Sequence, residues 1–390
     1  MKLKNRFYSI IFLYKQAMIS WQKLLGNSIT DAGGLPGLPR ETVEEIEKVT
    51  RVYPMRINPY YLRLMRQAGP AISRQAVPDI REIRDGAGMT DPLDEENLSP
   101  VPNLVHKYPD RVLFLVSGQC AMYCRFCTRK RKVGRPEMAI SDATIRAGLD
   151  YIETNRQVRE VLLSGGDPLL LADRHLEKIL RSLRRIPHVE VIRIGTRVPC
   201  TLPQRVTAGL AAMLRKYHPL YINTHFNHPA EITPEASLAC AVLADAGIPL
   251  GCQTVLLRGI NDDREIIRDL MCRLVRIRVK PYYLFQADLA RGTDHFRTPI
   301  DTGLEIMRHL IGRTSGLAVP TFAVDAPGGG GKIPLTPDYI RSLDEKCLRF
   351  TNYQGLQCSY PNPPGIPQTD SAPSLPEDGT RPGGGCILAF

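Results

Sequence analysis

The sequence predicts an α/β fold: a partial (β/α) barrel, preceded by a helical N-terminal region and followed by a flexible C-terminal tail. Three patterns predict it. After residue 110, short β-rich runs alternate with amphipathic stretches, the signature of parallel βα units joined by right-handed crossovers. Before residue 94, apolar residues recur at helical spacing, and prolines at 54, 59, 70 and 78 cut the pattern into short pieces. Beyond Tyr353 the chain turns to Pro, Gly, Ser and Asp, a composition that buries too little apolar surface to order itself.

The bulk properties set the limits. A chain of 390 residues with 43% hydrophobic and 23% charged residues can bury a full core, and no apolar run approaches a membrane span. The net charge of +11 is compatible with an anionic cofactor or nucleic acid, but charge alone ordinarily reports solvated surface. Neither a nucleic-acid nor a membrane partner is expected.

Residues 1–14 imitate a signal peptide, with basic residues ahead of a short apolar run. Lys15 and Gln16 then follow directly and no small-residue cleavage site appears, so a cytoplasmic protein is expected, with Met18 as a candidate true start. From residue 19 to about 94 the pattern is helical, with Thr42 as an N-cap and residues 91–103 as a turn-rich linker. Strands are expected near 111–117, 159–164, 189–195, 219–226, 248–257, 278–286 and 318–324, with helices between them. The domain boundaries expected are 1–105 for the helical region and linker and 106–325 for the barrel. They continue with 326–356 for a lysine-bearing segment and C-terminal extension, and 357–390 for the tail.

Each expected strand runs into a polar or glycine-rich stretch at its C-terminal end, where barrel enzymes carry their sites. The first such stretch is Cys120-Ala-Met-Tyr-Cys124-Arg-Phe-Cys127. Three thiolates this close can hold three irons of a four-iron cluster, leaving the fourth iron open to a small molecule. A zinc site would want a fourth protein ligand, and a disulfide framework would want regular spacing of the other seven cysteines. Both are disfavoured.

Gly328-Gly-Gly-Gly-Lys332 is the second unusual stretch. A phosphate-binding P-loop would need glycine in place of Ala326 and serine or threonine in place of Ile333. What remains is an amine nucleophile that a mobile backbone brings to a planar ligand, as in a pyridoxal phosphate (PLP) lysine, or a plain flexible loop.

Together these stretches resemble the lysine 2,3-aminomutases, a family of radical S-adenosylmethionine (SAM) enzymes. The resemblance rests on Cys120-Ala-Met-Tyr-Cys-Arg-Phe-Cys-Thr-Arg-Lys-Arg131, Val161-Leu-Leu-Ser-Gly-Gly-Asp167 and Thr224-His-Phe-Asn-His-Pro229. Val255-Leu-Leu-Arg-Gly259, His295-Phe-Arg-Thr-Pro299 and the run from Pro320 to Lys332 complete it, and it covers about residues 20–355. It implies a partial barrel of the radical SAM type that holds a 4Fe-4S cluster, SAM and PLP. Residue by residue, it implies that Cys120, Cys124 and Cys127 hold the cluster. Ser164, Gly165, Gly166 and Asp167 would line the SAM site, the loop amides and carboxylate facing the SAM amino group, with His225 and Gln253 near it. Lys332 would carry PLP, with Lys107, Tyr108 and Arg111 beside it; Lys107 stands where an arginine is usual. His225 read by itself is equally a structural histidine at a strand end.

For the substrate, the resemblance implies that Arg129 pairs with the α-carboxylate and that Asp288 and Asp325 hold the ε-ammonium of lysine. Two anions around one buried cation disfavour glutamate and leave the longer cation arginine open. Two departures stand out. Cys358 and Cys386 replace a cysteine-rich zinc cluster of the tail, and Asp263 stands at the partner position on a neighbouring subunit, so no structural zinc is expected. Phe126 replaces a usual histidine. The expected activity is migration of the amino group of lysine from C2 to C3, in a homo-oligomer with an unidentified electron donor. The alternatives are an arginine mutase, a β-lysine supplier for translation-factor modification, or an RNA-modifying radical SAM protein.

Overall fold

The computed structural model describes residues 20–363. The signal-like segment, Met18, Cys386 and most of the tail lie outside the described residues. By compactness the chain divides after Pro337, and residues 20–337 form one unit. The expected boundary at 325/326 falls inside a hairpin of that unit.

Nine strands form one sheet in chain order: β1 (Leu104–Tyr108), β2 (Arg111–Ser117), β3 (Glu160–Gly165), β4 (Val191–Gly195), β5 (Leu220–Thr224), β6 (Leu250–Leu256), β7 (Val279–Gln286), β8 (Thr321–Ala326) and β9 (Gly331–Pro334). Strands β2 to β8 are parallel and are the seven read from the sequence. β1 and β9 are added antiparallel at the two edges. The edges are not paired with each other, so the barrel is partial. They do approach, since the Tyr108 hydroxyl of β1 accepts from the Lys332 amide of β9 at 3.1 Å.

Side-chain alternation sorts each parallel strand between two environments. In β3, Val161 and Leu163 are buried in the core while Glu160, Leu162 and Ser164 line the interior cavity. In β4, Ile192 and Ile194 divide from Arg193 and Gly195 in the same way. Helices α6 (Asp142–Thr154), α7 (Asp173–Arg185), α9 (Ala208–Leu214), α10 (Pro234–Asp245), α11 (Arg264–Arg276) and α12 (Ile300–Leu310) fill the crossovers, with short α8 (Val198–Thr201) following β4. Their apolar faces are buried, as with Leu176, Ile179, Leu180 and Leu183 of α7. Asp263, the position weighed for zinc, caps α11 by accepting from the Glu265 and Ile266 amides.

The N-terminal region is helical as expected, in short pieces: α1 (Trp21–Gly26), α2 (Arg40–Val52), α3 (Pro59–Ala68), α4 (Pro70–Ser73) and α5 (Arg81–Arg84). Thr42 is not an N-cap; α2 begins two residues earlier, behind Pro39. A second correction concerns the tail expected from residue 357, because Gln357–Pro361 is a strand. As β12 it pairs with β11 (Cys347–Thr351), which pairs with β10 (Ile340–Leu343), in a small antiparallel sheet within residues 338–363. Backbone pairing supplies order there that composition did not advertise.

Candidate active site

The inner face of the curved sheet encloses a cavity of about 890 Å³. Every site residue read from the sequence lines it: Lys107, Tyr108, Arg111, Cys120, Cys124, Cys127, Arg129, Ser164 to Asp167, His225, Gln253, Asp288, Asp325 and Lys332. Parallel strands bring these together because all their C-terminal ends open on the same side.

At one end is the cysteine loop, which follows β2. The thiols of Cys120, Cys124 and Cys127 are free. A closed zinc site would need a fourth protein ligand beside these three thiols. Three soft thiolates spread along one loop fit a cube that takes one thiolate per iron. Burial pushes the Cys120 thiol well above its usual value and raises Cys127 as well. Beside Cys124 stands a permanent cation, Arg197, whose Nη1 donates to Sγ at 2.8 Å. Arg197 is held in turn by Glu231 at 2.8 Å and Gln75 at 2.6 Å, and it lies over the Phe126 ring.

The loop is clamped from outside by the N-terminal helices. Glu82, fully buried, accepts from Arg125 Nε at 2.9 Å and from Lys130 Nζ at 2.7 Å. Arg125 also donates to the Pro54 carbonyl, and the Asn58 amide donates to the carbonyls of Ala121 and Thr201. Opening such a buried charge network by removing one partner costs about 3–5 kcal/mol.

The Ser-Gly-Gly-Asp turn departs from its expected use. The amides of Gly166 and Asp167 do not face an open ligand site; they donate to the carbonyls of Ser117 at 2.5 Å and Gln119 at 2.7 Å. Gly165 has φ +133°, and a Cβ there would meet the Ser117 oxygen at 2.2 Å, so only glycine allows this approach. The Asp167 carboxylate accepts from the Thr196 hydroxyl and from the amides of Leu169, Arg197 and Val198. Its four acceptor directions are thus filled by the protein, and it acts as a brace between the ends of β3 and β4. Burial pushes it up to about 6. The Ser164 hydroxyl and Gln253 remain beside the cavity. His225 Nε2 donates to Asn227 at 2.8 Å, and burial together with Arg197 lowers its pKa to about 3, so the ring is neutral.

At the other end the glycine-rich loop proves to be a hairpin. Gly328, Gly329 and Gly331 have φ of +65°, +77° and +92°, values that turn β8 back into β9. The register sets Asp325 directly across from Lys332. Cross-strand partners project to the same face, and Lys332 Nζ accordingly lies 2.9 and 2.8 Å from the two Asp325 oxygens, over the Phe285 ring. Arg111 stacks on the Tyr108 ring, and Lys107 lies near Gly331. An amine, two further cations and a wall of aromatic rings fit a planar, phosphate-bearing group. Burial first, and the neighbouring Asp325 second, push the Asp288 carboxyl up to about 7.

Two residues that sequence reasoning passed over also line the cavity. Arg197 sat in a strand-end stretch, but its contact with Cys124 spans 73 positions. Glu95 sat in the supposed linker, of which Leu93 and Glu95 line the cavity, and its carboxylate takes Arg129 by Nε at 2.9 Å and also by Nη2. No local pattern marks either pairing.

Comparison with known proteins agrees with this geometry. The family model described as "Radical SAM superfamily" matches residues 114–271, and the one described as "Lysine-2,3-aminomutase" matches residues 307–376. The chain is 48% identical to L-lysine 2,3-aminomutase of Acetoanaerobium sticklandii, over 93% of this chain and 89% of that one. It is 50% identical to L-lysine 2,3-aminomutase of Fusobacterium nucleatum, over 88% and 82%. Glutamate 2,3-aminomutase of Clostridioides difficile is 43% identical, over 94% and 88%.

Proposed function

Given that the chain belongs to the lysine 2,3-aminomutase family of radical SAM enzymes, we propose that it moves the amino group of L-lysine from C2 to C3, giving β-lysine. The observation that carries the choice of lysine is the paired carboxylates, Asp288 and Asp325, in the same cavity as Arg129 and Lys332. An amino acid with a terminal cation finds a carboxylate-binding fork and two carboxylates in one cavity. A glutamate side chain would meet those two carboxylates with a like charge.

The family's cofactors are a 4Fe-4S cluster, SAM and PLP. When bound, they supply a carbon-centred radical that removes a hydrogen atom and a conjugated ring that delocalises an unpaired electron. Cys120, Cys124 and Cys127 are the ligands for the cluster, and Arg197 offsets the charge of the Cys124 thiolate. Ser164, His225 and Gln253 border the SAM side, with Gly165, Gly166 and Asp167 fixing the wall behind it. Lys332 is the amine for PLP, and Lys107, Tyr108 and Arg111 flank it. With Lys332 engaged by the cofactor, Asp325 would be left to hold the substrate ammonium. The residues' contribution is placement in a site that keeps quenching solvent out. We read the enzyme as a cytoplasmic homo-oligomer served by a separate electron donor. No described helix is long and apolar enough to cross a membrane.

The test is anaerobic. The cluster is reconstituted, SAM, PLP and reductant are added, and incubations with lysine, arginine and glutamate are analysed by mass spectrometry. The expected result is β-lysine, abolished in Lys332→Ala and Cys124→Ala. β-Arginine as the sole product would change the substrate, and deoxyadenosine without amine migration would remove the aminomutase reading.

A further inference from the structure

We propose that Glu95 is a positioning residue for the substrate: it grips one edge of the Arg129 guanidinium so that the other edge is presented, already oriented, to the substrate α-carboxylate. This rests on the reading of Arg129 given above.

A guanidinium has five N–H donors in one plane. Glu95 takes Nε and one Nη2 hydrogen, the side-on edge. The Nη1 end and the second Nη2 hydrogen are left for another carboxylate, and Arg129 lines the cavity. Side-chain exposures of 16% for Arg129 and 7% for Glu95 mean that water does not compete strongly for the pair. A free arginine would lose much rotamer entropy on meeting its ligand; one already held loses little.

Glu95 is itself fixed. Its carbonyl accepts from the Ser99 hydroxyl at 2.6 Å, and the next residue's amide donates to Asp91, which pairs with Arg131 at 3.0 Å. The strap that carries it is anchored to the loops bearing the other substrate and cofactor groups. Met89 bridges to Ala290, two residues past Asp288, and the Pro92 carbonyl accepts from the Gly328 amide ahead of Lys332. One segment thus sets Arg129 relative to Asp288 and Lys332.

The experiment compares lysine with 1,5-diaminopentane, which is lysine without the carboxylate, on cluster-reconstituted, PLP-loaded protein. Lysine KM, the inhibition constant of diaminopentane, calorimetric binding of both, and iron content are measured for the unsubstituted enzyme, Glu95→Ala, Glu95→Gln and Glu95→Asp. The expected result in Glu95→Ala is at least a tenfold rise in lysine KM and dissociation constant, exceeding any change in kcat. Diaminopentane binding should move less than twofold, with partial recovery in Glu95→Asp. Unchanged lysine binding would overturn the proposal. So would tighter lysine binding, which would make Glu95 a competitor for Arg129, or equal weakening of both ligands, which would make it a general support. Turnover of lysine by the unsubstituted enzyme is measured first; without it the functional reading has failed, and the inference falls with it.

Discussion

The two ends of the cavity are built from the same chemistry, charge pairs, but to different purposes. Around the cysteine loop, Glu82, Arg125 and Lys130 are fully enclosed and each holds several partners, so no member can leave without stranding a charge. Around Lys332 and Arg129, each charged group has one principal partner and borders the cavity, so part of its hydrogen-bonding capacity is left for a ligand of the right charge. The first arrangement suits a cofactor that stays, and the second a substrate that comes and goes.

The comparison breaks most visibly at Glu82. Glu82→Ala should lower stability by about 3–5 kcal/mol, because two buried cations lose their shared anion. Chemical denaturation checks it, and iron content should fall in parallel. If stability changed by less than about 1 kcal/mol, the cysteine end would not be the rigid one.

At the exchangeable end, Asp288→Asn should leave the fold intact and raise lysine KM roughly thirtyfold, about 2 kcal/mol for a lost charge-assisted contact. The same variant should discriminate less against glutamate. Steady-state kinetics with both amino acids reads this directly.

A pH titration probes the same carboxylate without mutation. With its pKa pushed up to about 7, Asp288 is mostly protonated at pH 6 and mostly ionised at pH 8, and only the ionised form attracts an ammonium. Lysine KM should therefore fall about tenfold from pH 6 to pH 8, as the competent fraction rises. Asp288→Asn should flatten that profile.

The smallest effect is expected from Lys332→Ala on stability, under about 1 kcal/mol, because the Lys332 side chain is 35% exposed and its single ion pair is partly screened. Thermal unfolding measures it. The contrast with Glu82→Ala is the quantitative form of the difference between the two ends.

How much of this was readable in advance follows from which interactions are local. The seven parallel strands stood out because buried strands such as 111–117 are continuous apolar runs. β1 and β9 did not: Leu-Val-His-Lys-Tyr has little pattern, and Gly-Lys-Ile-Pro has poor strand propensity, so pairing with β2 and β8 creates them. The cysteines, Lys332 and Asp325 were visible through dense motifs. Glu95 and Glu231 were not, because each is defined by an arginine 34 residues away and sits in sequence that reads as turn. The Asp167 carboxylate was recognised but given the wrong neighbours, since its donors come from the following strand end.

The most direct measurement is a competition. Reconstituted enzyme is incubated anaerobically with SAM, PLP, reductant and equimolar lysine and glutamate, and the β-amino acids are quantified by mass spectrometry. A cavity that offers Arg129 to the carboxylate and Asp288 and Asp325 to the terminal cation should give β-lysine in at least a hundredfold excess. β-Glutamate as the main product would contradict the assignment of those two carboxylates to the substrate cation.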